Sequence, residues 1–136
     1  MSLVEEMEGA KIVVERCANA EAGEHVLIVG DWRSEETARR LAAAAELIDA
    51  EASVALMRPR EHDGNEPPDP VAAAMQEPDV IISIPSRAIG HSKAAKQALE
   101  NGARFVAIGT LSLEGLMSDG LRVDFDELAP KVERIA

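Results

Sequence analysis

"DVIISIPSRAIGHSKAAKQALENGARFVAIGT", residues 79–110, contains a complete strand–helix–strand unit. Two short apolar runs, "DVIISI" and "RFVAIGT", flank an alanine-rich segment that ends at Asn101-Gly102, a helix-stop pair. Short continuous apolar runs are typical of strands covered on both faces, as in parallel sheets. The pattern therefore predicts a crossover helix between two parallel strands, joined by right-handed connections.

The same alternation precedes this unit. Two further strands are predicted in "GEHVLIVGD" and "ASVALM". A helix is predicted between them in "SEETARRLAAAAELIDA", with Ser34 as its cap. An opening helix is predicted in "EMEGAKIVVERCANA". Asp69 and Pro70 predict the cap and first turn of a short helix, "VAAAMQE". The expected fold is α/β: a three-layer sandwich with a mostly parallel sheet of about four strands, Rossmann-like or flavodoxin-like. We expect the strand order 2-1-3-4 rather than 3-2-1-4.

The composition favours one α/β domain over residues 1–136, built on small aliphatic side chains. The chain is 46% apolar but holds only two Phe, one Trp and no Tyr. Cys17, the single cysteine, lies on the apolar face of the opening helix. We expect a buried structural thiol there, and one cysteine excludes a disulfide within the chain.

The net charge of -11 argues against binding to nucleic acid and to anionic membrane surfaces, since both are recognised by basic patches. The sequence contains no 18-residue apolar run and no recognisable signal peptide. The expected compartment is the cytoplasm. The expected partners are a second copy of the chain, a catalytic domain or subunit, and a small-molecule or peptide ligand.

Polar residues follow all four predicted strands. Since ligands of open parallel sheets collect at the carboxyl ends of the strands, these segments mark the expected binding edge. The segments are "GDWRS", residues 58–69, "PSRAIGHS" and "GTLS". The candidate ligand-binding residues in them are Asp31, Ser86, Ser92 and Thr110.

His91 is the candidate catalytic residue because it stands where a helix begins. Free backbone N–H groups there favour an anion or a carbonyl oxygen, and a neutral imidazole could accept or relay a proton. In the alternative interpretation Ser86 or Ser92 only caps the helix and His91 is exposed to solvent. Asp31 likewise is either a turn residue or a site carboxylate, and Trp32 is expected on an exposed loop.

Several catalytic motifs are absent from the sequence. It contains no GxGxxG, no GxxxxGK[ST], no GxSxG and no HExxH. "EHDGNE", residues 61–66, collects metal-type ligands without the spacing of a metal site, which predicts a solvated loop. No metal site or complete catalytic constellation is expected within this chain.

The order of these elements resembles the N-terminal domain of the aminopeptidase T family, which are metal-dependent leucyl aminopeptidases related to dihydroxypyridine ring-cleaving dioxygenases. The resemblance runs from Val14 to Ala129 and is strongest in "GEHVLIVGD", "EPPDPVAAAM" and the serine-then-"HSKA" stretch. It implies a divalent metal in the full-length family, held by a C-terminal domain that has no counterpart here. It also implies a role in shaping the cleft and in oligomer assembly, with His91 reaching towards a shared active site.

Two other functions remain open at this point. The strand that ends in a Pro, followed by an Ala-rich helix and another strand, is similar to the CoA-binding domain of succinyl-CoA-synthetase type proteins, although the glycine-rich first loop of that family is missing. A small-ligand or CoA-type binding module is therefore the alternative function. A third is an oligomerisation domain in which the terminal stripe Leu128, Val132 and Ile135 is buried between subunits.

Overall fold

A computed structural model of the chain describes residues 3–62, 65–84 and 89–108. They contain one sheet of four parallel strands in the order β2-β1-β3-β4. The strands are β1 (His25–Asp31), β2 (Glu51–Met57), β3 (Val80–Ser83) and β4 (Arg104–Ala107). The predicted fold class and the predicted strand order 2-1-3-4 are both confirmed.

The helices cover the two faces of this sheet, as the three-layer prediction requires. They are α1 (Leu3–Ile12), which continues as a π-helix (Val13–Cys17), α2 (Glu35–Leu47), α3 (Asp69–Ala74) and α4 (Lys93–Glu100). α1, the π-helix and α2 share one hydrophobic cluster with the sheet, and α3 and α4 share the other.

Alternation along the strands divides the core between these two faces. In β1, Val26 and Ile28 pack towards α2, whereas Leu27 and Val29 pack towards α3 and α4. Apart from Phe105, the buried side chains of the core are small or aliphatic, as the composition predicts. Cys17 is buried in the π-helix, which confirms the structural thiol.

Two helices, one on each face of the sheet, end in Schellman turns that lead the chain back into a strand. After α4, the N–H of Ala103 bonds to the carbonyl of Ala98 and that of Gly102 to Leu99. Gly102 has φ +97°, so the predicted Asn101-Gly102 stop is confirmed. α2 ends in the same way, with Asp49 in the left-handed position at φ +64°.

The predicted opening helix is confirmed, and its last turn is a π-helix: the N–H of Ala18 donates to the carbonyl of Val13, which widens that turn. The predicted cap of α3 is wrong. The N-cap of α3 is Pro68 rather than Asp69, because Val71 and Ala72 both donate to the Pro68 carbonyl. The carbonyl of an N-cap residue accepts the first hydrogen bond of the helix, whereas its own N–H has no partner within the helix. Proline, which lacks the N–H, is therefore tolerated at this position.

Some predictions fall outside the described residues: Ser86, Thr110, "GTLS" and the terminal stripe with Leu128, Val132 and Ile135. Within residues 3–62, 65–84 and 89–108, no helix has the length and apolarity needed to cross a bilayer. The single-domain organisation over 1–136 stays a prediction.

Arg104 ties the amino end of β4 to the loop before β1. Its guanidinium lies 2.6 Å from a carboxylate oxygen of Glu24 and 3.1 Å from the carbonyl oxygen of Asn19. The hydrogen bond from Arg104 lowers the pKa of Glu24 below its ordinary value of 4.5. Because this carboxylate is more acidic in the folded than in the unfolded state, its contribution is complete above pH 4.5 and is lost as the pH falls through the folded pKa.

Replacing Arg104 with glutamine should therefore destabilise the fold by less than about 1 kcal/mol at neutral pH, because the pair is partly solvated. The difference from the parent should shrink as the pH falls below 4.5. Urea unfolding at several pH values measures this. Arg39→Gln, which removes the guanidinium of an exposed pair with Glu35, is the matched control and should show a smaller effect. An unchanged difference between pH 7 and low pH would contradict the assignment.

Candidate functional site

The carboxyl end of β1 closes in a tight hydrogen-bonded turn. The backbone N–H of Asp31 donates to Ser34 Oγ at 3.0 Å, and this hydroxyl is 3.2 Å from the carbonyl oxygen of Asp31. The carboxylate of Asp31 accepts from the N–H of Arg33 at 2.9 Å, an Asx turn. Asp31 is fully buried, so its carboxylate helps to build the turn.

Ser34 does not act as the side-chain cap of α2 that the sequence predicts. It occupies the N-cap position, but its side chain makes no capping bond to the helix. Its hydroxyl bonds back to Asp31 instead. A serine between a strand and a helix can hydrogen-bond either to the backbone of the turn or to the first N–H groups of the helix. Here the hydroxyl bonds to the buried backbone of the turn.

Ser92 is the N-cap of α4, and it is fully buried. Its hydroxyl accepts from the N–H of Ala95 at 3.1 Å and donates to the carbonyl of Ile89 at 2.6 Å. His91 directly precedes this cap and is exposed. The capping interpretation of Ser92 and the exposure of His91 are thus both observed, while a ligand-binding role for Ser92 and a catalytic role for His91 stay predictions.

Glu66 supplies an anion to the start of α4. Its carboxylate oxygens accept from the N–H of Lys93 at 2.7 Å and of Ala94 at 3.4 Å. The sequence argument expects these N–H groups to be free for a ligand, and this is wrong for these two. Glu66 was missed because it lies 27 residues before Lys93, and no local pattern links the two segments.

The topology brings several predicted residues to one edge of the sheet. β2 lies on one side of β1 in the sheet, and β3 and β4 lie on the other. The strand order therefore reverses between β1 and β3, which is the switch point of the sheet. Asp31 shares a face with Val29, the face that α4 covers. Asp31 ends β1, and His91 and Ser92 lie between β3 and α4, while Ser86 and Thr110 lie outside the described residues. A common site for these residues stays a prediction. Trp32 is 63% exposed at this edge, as predicted.

A polar cavity of about 310 Å³ lies at the end of β2. It is lined by Arg58, Pro59, Arg60, Glu61, His62, Asn65 and Glu66. Arg60 bonds through its guanidinium to the carbonyls of Arg58 at 3.2 Å and Glu66 at 3.4 Å. It lies at the expected binding edge, and neither Asp31 nor His91 is among its lining residues.

The described residues do not fit a divalent metal ion. No three side chains among their His, Cys, Asp and Glu residues lie close enough to bind one together. "EHDGNE" contributes exposed Glu61 and His62, in agreement with a solvated loop, whereas its last residue, Glu66, accepts hydrogen bonds from the start of α4. Two exposed imidazoles, those of His62 and His91, follow β2 and β3.

Fold and edge together define an open parallel α/β domain with its switch point between β1 and β3.

No protein-family model matches the sequence, and no curated protein matches it either. Similar solved structures exist at low identity. 2,5-Dihydroxypyridine dioxygenase from Pseudomonas putida KT2440 overlaps 84% of this chain and 36% of its own, with 16% identity and a TM-score of 0.66.

AmpT from Thermus thermophilus overlaps 96% of this chain and 42% of its own, with 16% identity and a TM-score of 0.52. A fatty acid ABC transporter substrate-binding protein from Thermomonospora curvata overlaps 85% of this chain and 30% of its own, with 16% identity and a TM-score of 0.53. This chain thus spans less than half the length of each of the three. At such identity the likeness establishes a shared fold.

Proposed function

We propose that this chain is the α/β domain of a leucyl-aminopeptidase-like metalloenzyme. It forms one wall of the substrate cleft and takes part in oligomer assembly, while a separate domain or subunit holds the divalent metal. The observation that carries the proposal is the overlap of nearly the whole chain, 96%, with AmpT, combined with a ligand-prone edge that has no metal cluster among the described residues.

The exposed groups at the binding edge suit the recognition of a small amino-acid-like ligand. Trp32 offers exposed apolar surface and His91 an exposed imidazole. Asp31 and Ser92 are fully buried and hydrogen-bonded within the chain, which holds the ends of β1 and α4 in place. In this proposal the buried pair positions the edge, and Trp32 and His91 face the ligand.

An activity assay of the purified chain tests whether the metal site lies outside this chain. We expect no hydrolysis of leucyl-p-nitroanilide in the presence of Co²⁺, Zn²⁺ or Mn²⁺. Turnover that depends on one of these ions and disappears with EDTA would place a metal site in this chain and overturn the proposal.

Binding at the edge is measured through Trp32, which is the only tryptophan in a chain without tyrosine. We expect leucinamide to change its fluorescence saturably and His91→Ala to weaken the binding several-fold. His25→Ala is the matched control, because His25 lies at the amino end of β1, at the opposite edge of the sheet, and should leave the titration unchanged. Equal loss in the two variants, or no saturable change in the parent, contradicts the cleft assignment.

A small-ligand or CoA-type binding module is the second candidate. The similarity to a substrate-binding protein, with a TM-score of 0.53 against 0.52 for AmpT, supports it as strongly as the fold supports the first. The same fluorescence titration with CoA separates the two. Saturable binding of CoA that depends on His91, without any response to leucinamide, would favour the module.

A further inference from the structure

The outer edge of β2 is long and regular. All seven residues from Glu51 to Met57 pair in register with β1, without a bulge. Since β2 is the first strand of the sheet order, none of the described strands pairs with its other side. Half of its backbone N–H and C=O groups therefore face away from the sheet, the arrangement that recruits another strand.

The sequence of β2 lacks the residues that usually protect such an edge. "EASVALM" contains no Lys, Pro or Gly. Its side chains are also less buried than those of β1 and β3, with Val54 at the centre 39% exposed. β4, at the other end of the sheet order, differs because it has only four residues and begins with the ion-paired Arg104.

The charges at the two ends of β2 are complementary. Asp49 and Glu51 lie at its start, and Arg58 and Arg60 follow its end. If two β2 strands pair antiparallel around Val54, the acidic end of each copy lies beside the basic end of the other. The single charged residue within the strand, Glu51, then faces Met57, so like charges do not meet directly across the pair.

A cavity of about 330 Å³ continues this uncovered surface towards α3. Ser53 of β2 lines it, together with Leu27 of β1 and Ala74 of α3. On the α3 side of the sheet, the surface of β2 at Ser53 is thus open rather than packed.

We propose that β2 is the self-association edge of this protein: two copies pair their β2 strands antiparallel around Val54 and join their sheets into one. The arrangement is two-fold symmetric, because each contact occurs twice with the roles exchanged. It deepens the assembly part of the proposed function, and it does not depend on the ligand or on the metalloenzyme assignment.

Sedimentation of the full chain over a wide range of concentration tests the pairing. The parent should be a dimer. Val54→Lys brings two ammonium groups together at the centre of the pair and should give a monomer. Val4→Lys makes the same change at an exposed position of α1 and should leave the dimer intact. Circular dichroism and urea unfolding confirm that each variant is folded.

A charge exchange provides the second arm, with milder substitutions. Glu51→Arg and Arg58→Glu should each weaken the dimer by about tenfold, since each places a charge near the like-charged end of the other copy, and the two-fold symmetry makes this happen twice. The double variant restores opposite charges and should recover most of the parental affinity. If the single substitutions weakened the dimer only by distorting β2, the double variant would not recover its affinity.

The outcomes separate this inference from the proposed function. If the parent is a monomer, both the β2–β2 interface and the proposed role in oligomer assembly are wrong. The proposed role in the substrate cleft is not affected by this result. A dimer that is insensitive to Val54→Lys and to both charge reversals overturns the β2 interface alone.

Discussion

Replacing Gly30 with alanine is expected to destabilise the fold by about 1–3 kcal/mol, because it overpacks a closed turn. A Cβ at Gly30 would lie 2.7 Å from Ser34 Oγ, 3.3 Å from Leu56 Cδ2 and 3.5 Å from Ile84 Cγ1. The first distance is too short for any contact, so Ser34 must move. Ser34 is the residue whose hydroxyl bonds both the N–H and the carbonyl of Asp31. Urea unfolding measures the loss of stability.

A double-mutant cycle identifies the cause. Ser34→Ala removes the oxygen that an alanine at position 30 would strike, at the expense of its two bonds to Asp31. In the double variant the worst clash is absent, so the combined destabilisation should be smaller than the sum of the single effects. Additive losses would show that the contact with Ser34 is not the reason for the effect. The fluorescence of Trp32, two residues from Gly30, should shift in Gly30→Ala and so report the altered turn.

Replacing Ser92 with alanine is the second large effect, with an expected loss of about 1–2 kcal/mol. The hydroxyl of Ser92 accepts from the N–H of Ala95 and donates to the carbonyl of Ile89, and the residue is fully buried. No water can easily replace a partner in a buried cap, so the N–H of Ala95 would stay unsatisfied. α4 should still form, because Glu66 holds the N–H groups of Lys93 and Ala94.

The control for this prediction is Ser53→Ala, the same substitution at an exposed strand position. It should change the free energy of unfolding by less than about 0.5 kcal/mol. Hydrogen exchange of the N–H of Ala95 gives a local readout, and it should become faster in Ser92→Ala alone. Equal stability of the two variants would mean that the cap contributes nothing measurable.

The candidate edge was predictable from the sequence because it depends on local signals. Polar segments that follow apolar strands belong at the carboxyl edge of a parallel sheet. Asp31 ends β1, Trp32 follows it, and His91 and Ser92 lie between β3 and α4, while a binding role for these residues stays a prediction. The direction in which each hydroxyl or carboxylate bonds was not predictable in this way. Ser34 and Ser92 both occupy N-cap positions, yet one closes the turn after β1 and the other caps its helix.

Glu66 shows why part of the site needed the tertiary structure. The sequence places it in a polar loop, where a carboxylate has no evident task. Only the packing of α3 and α4 on the same face of the sheet brings that loop to the start of α4. The carboxylate is then drawn to the free N–H groups and the positive end of the helix.

By itself the sequence determined the class of fold, since that follows from periodicity: short apolar runs alternate with amphipathic helices, and such a chain can bury its strands only in a parallel sheet covered on both faces. It also determined the small-aliphatic core, the buried Cys17 and the Gly102 stop, which depend on residue type and near neighbours. The tertiary structure decided which groups meet across long separations: the Glu66 contact with α4, the Arg104–Glu24 pair and the exposed edge of β2. These depend on the order of strands and the faces to which helices return, and contacts between distant segments leave no periodic trace in the chain.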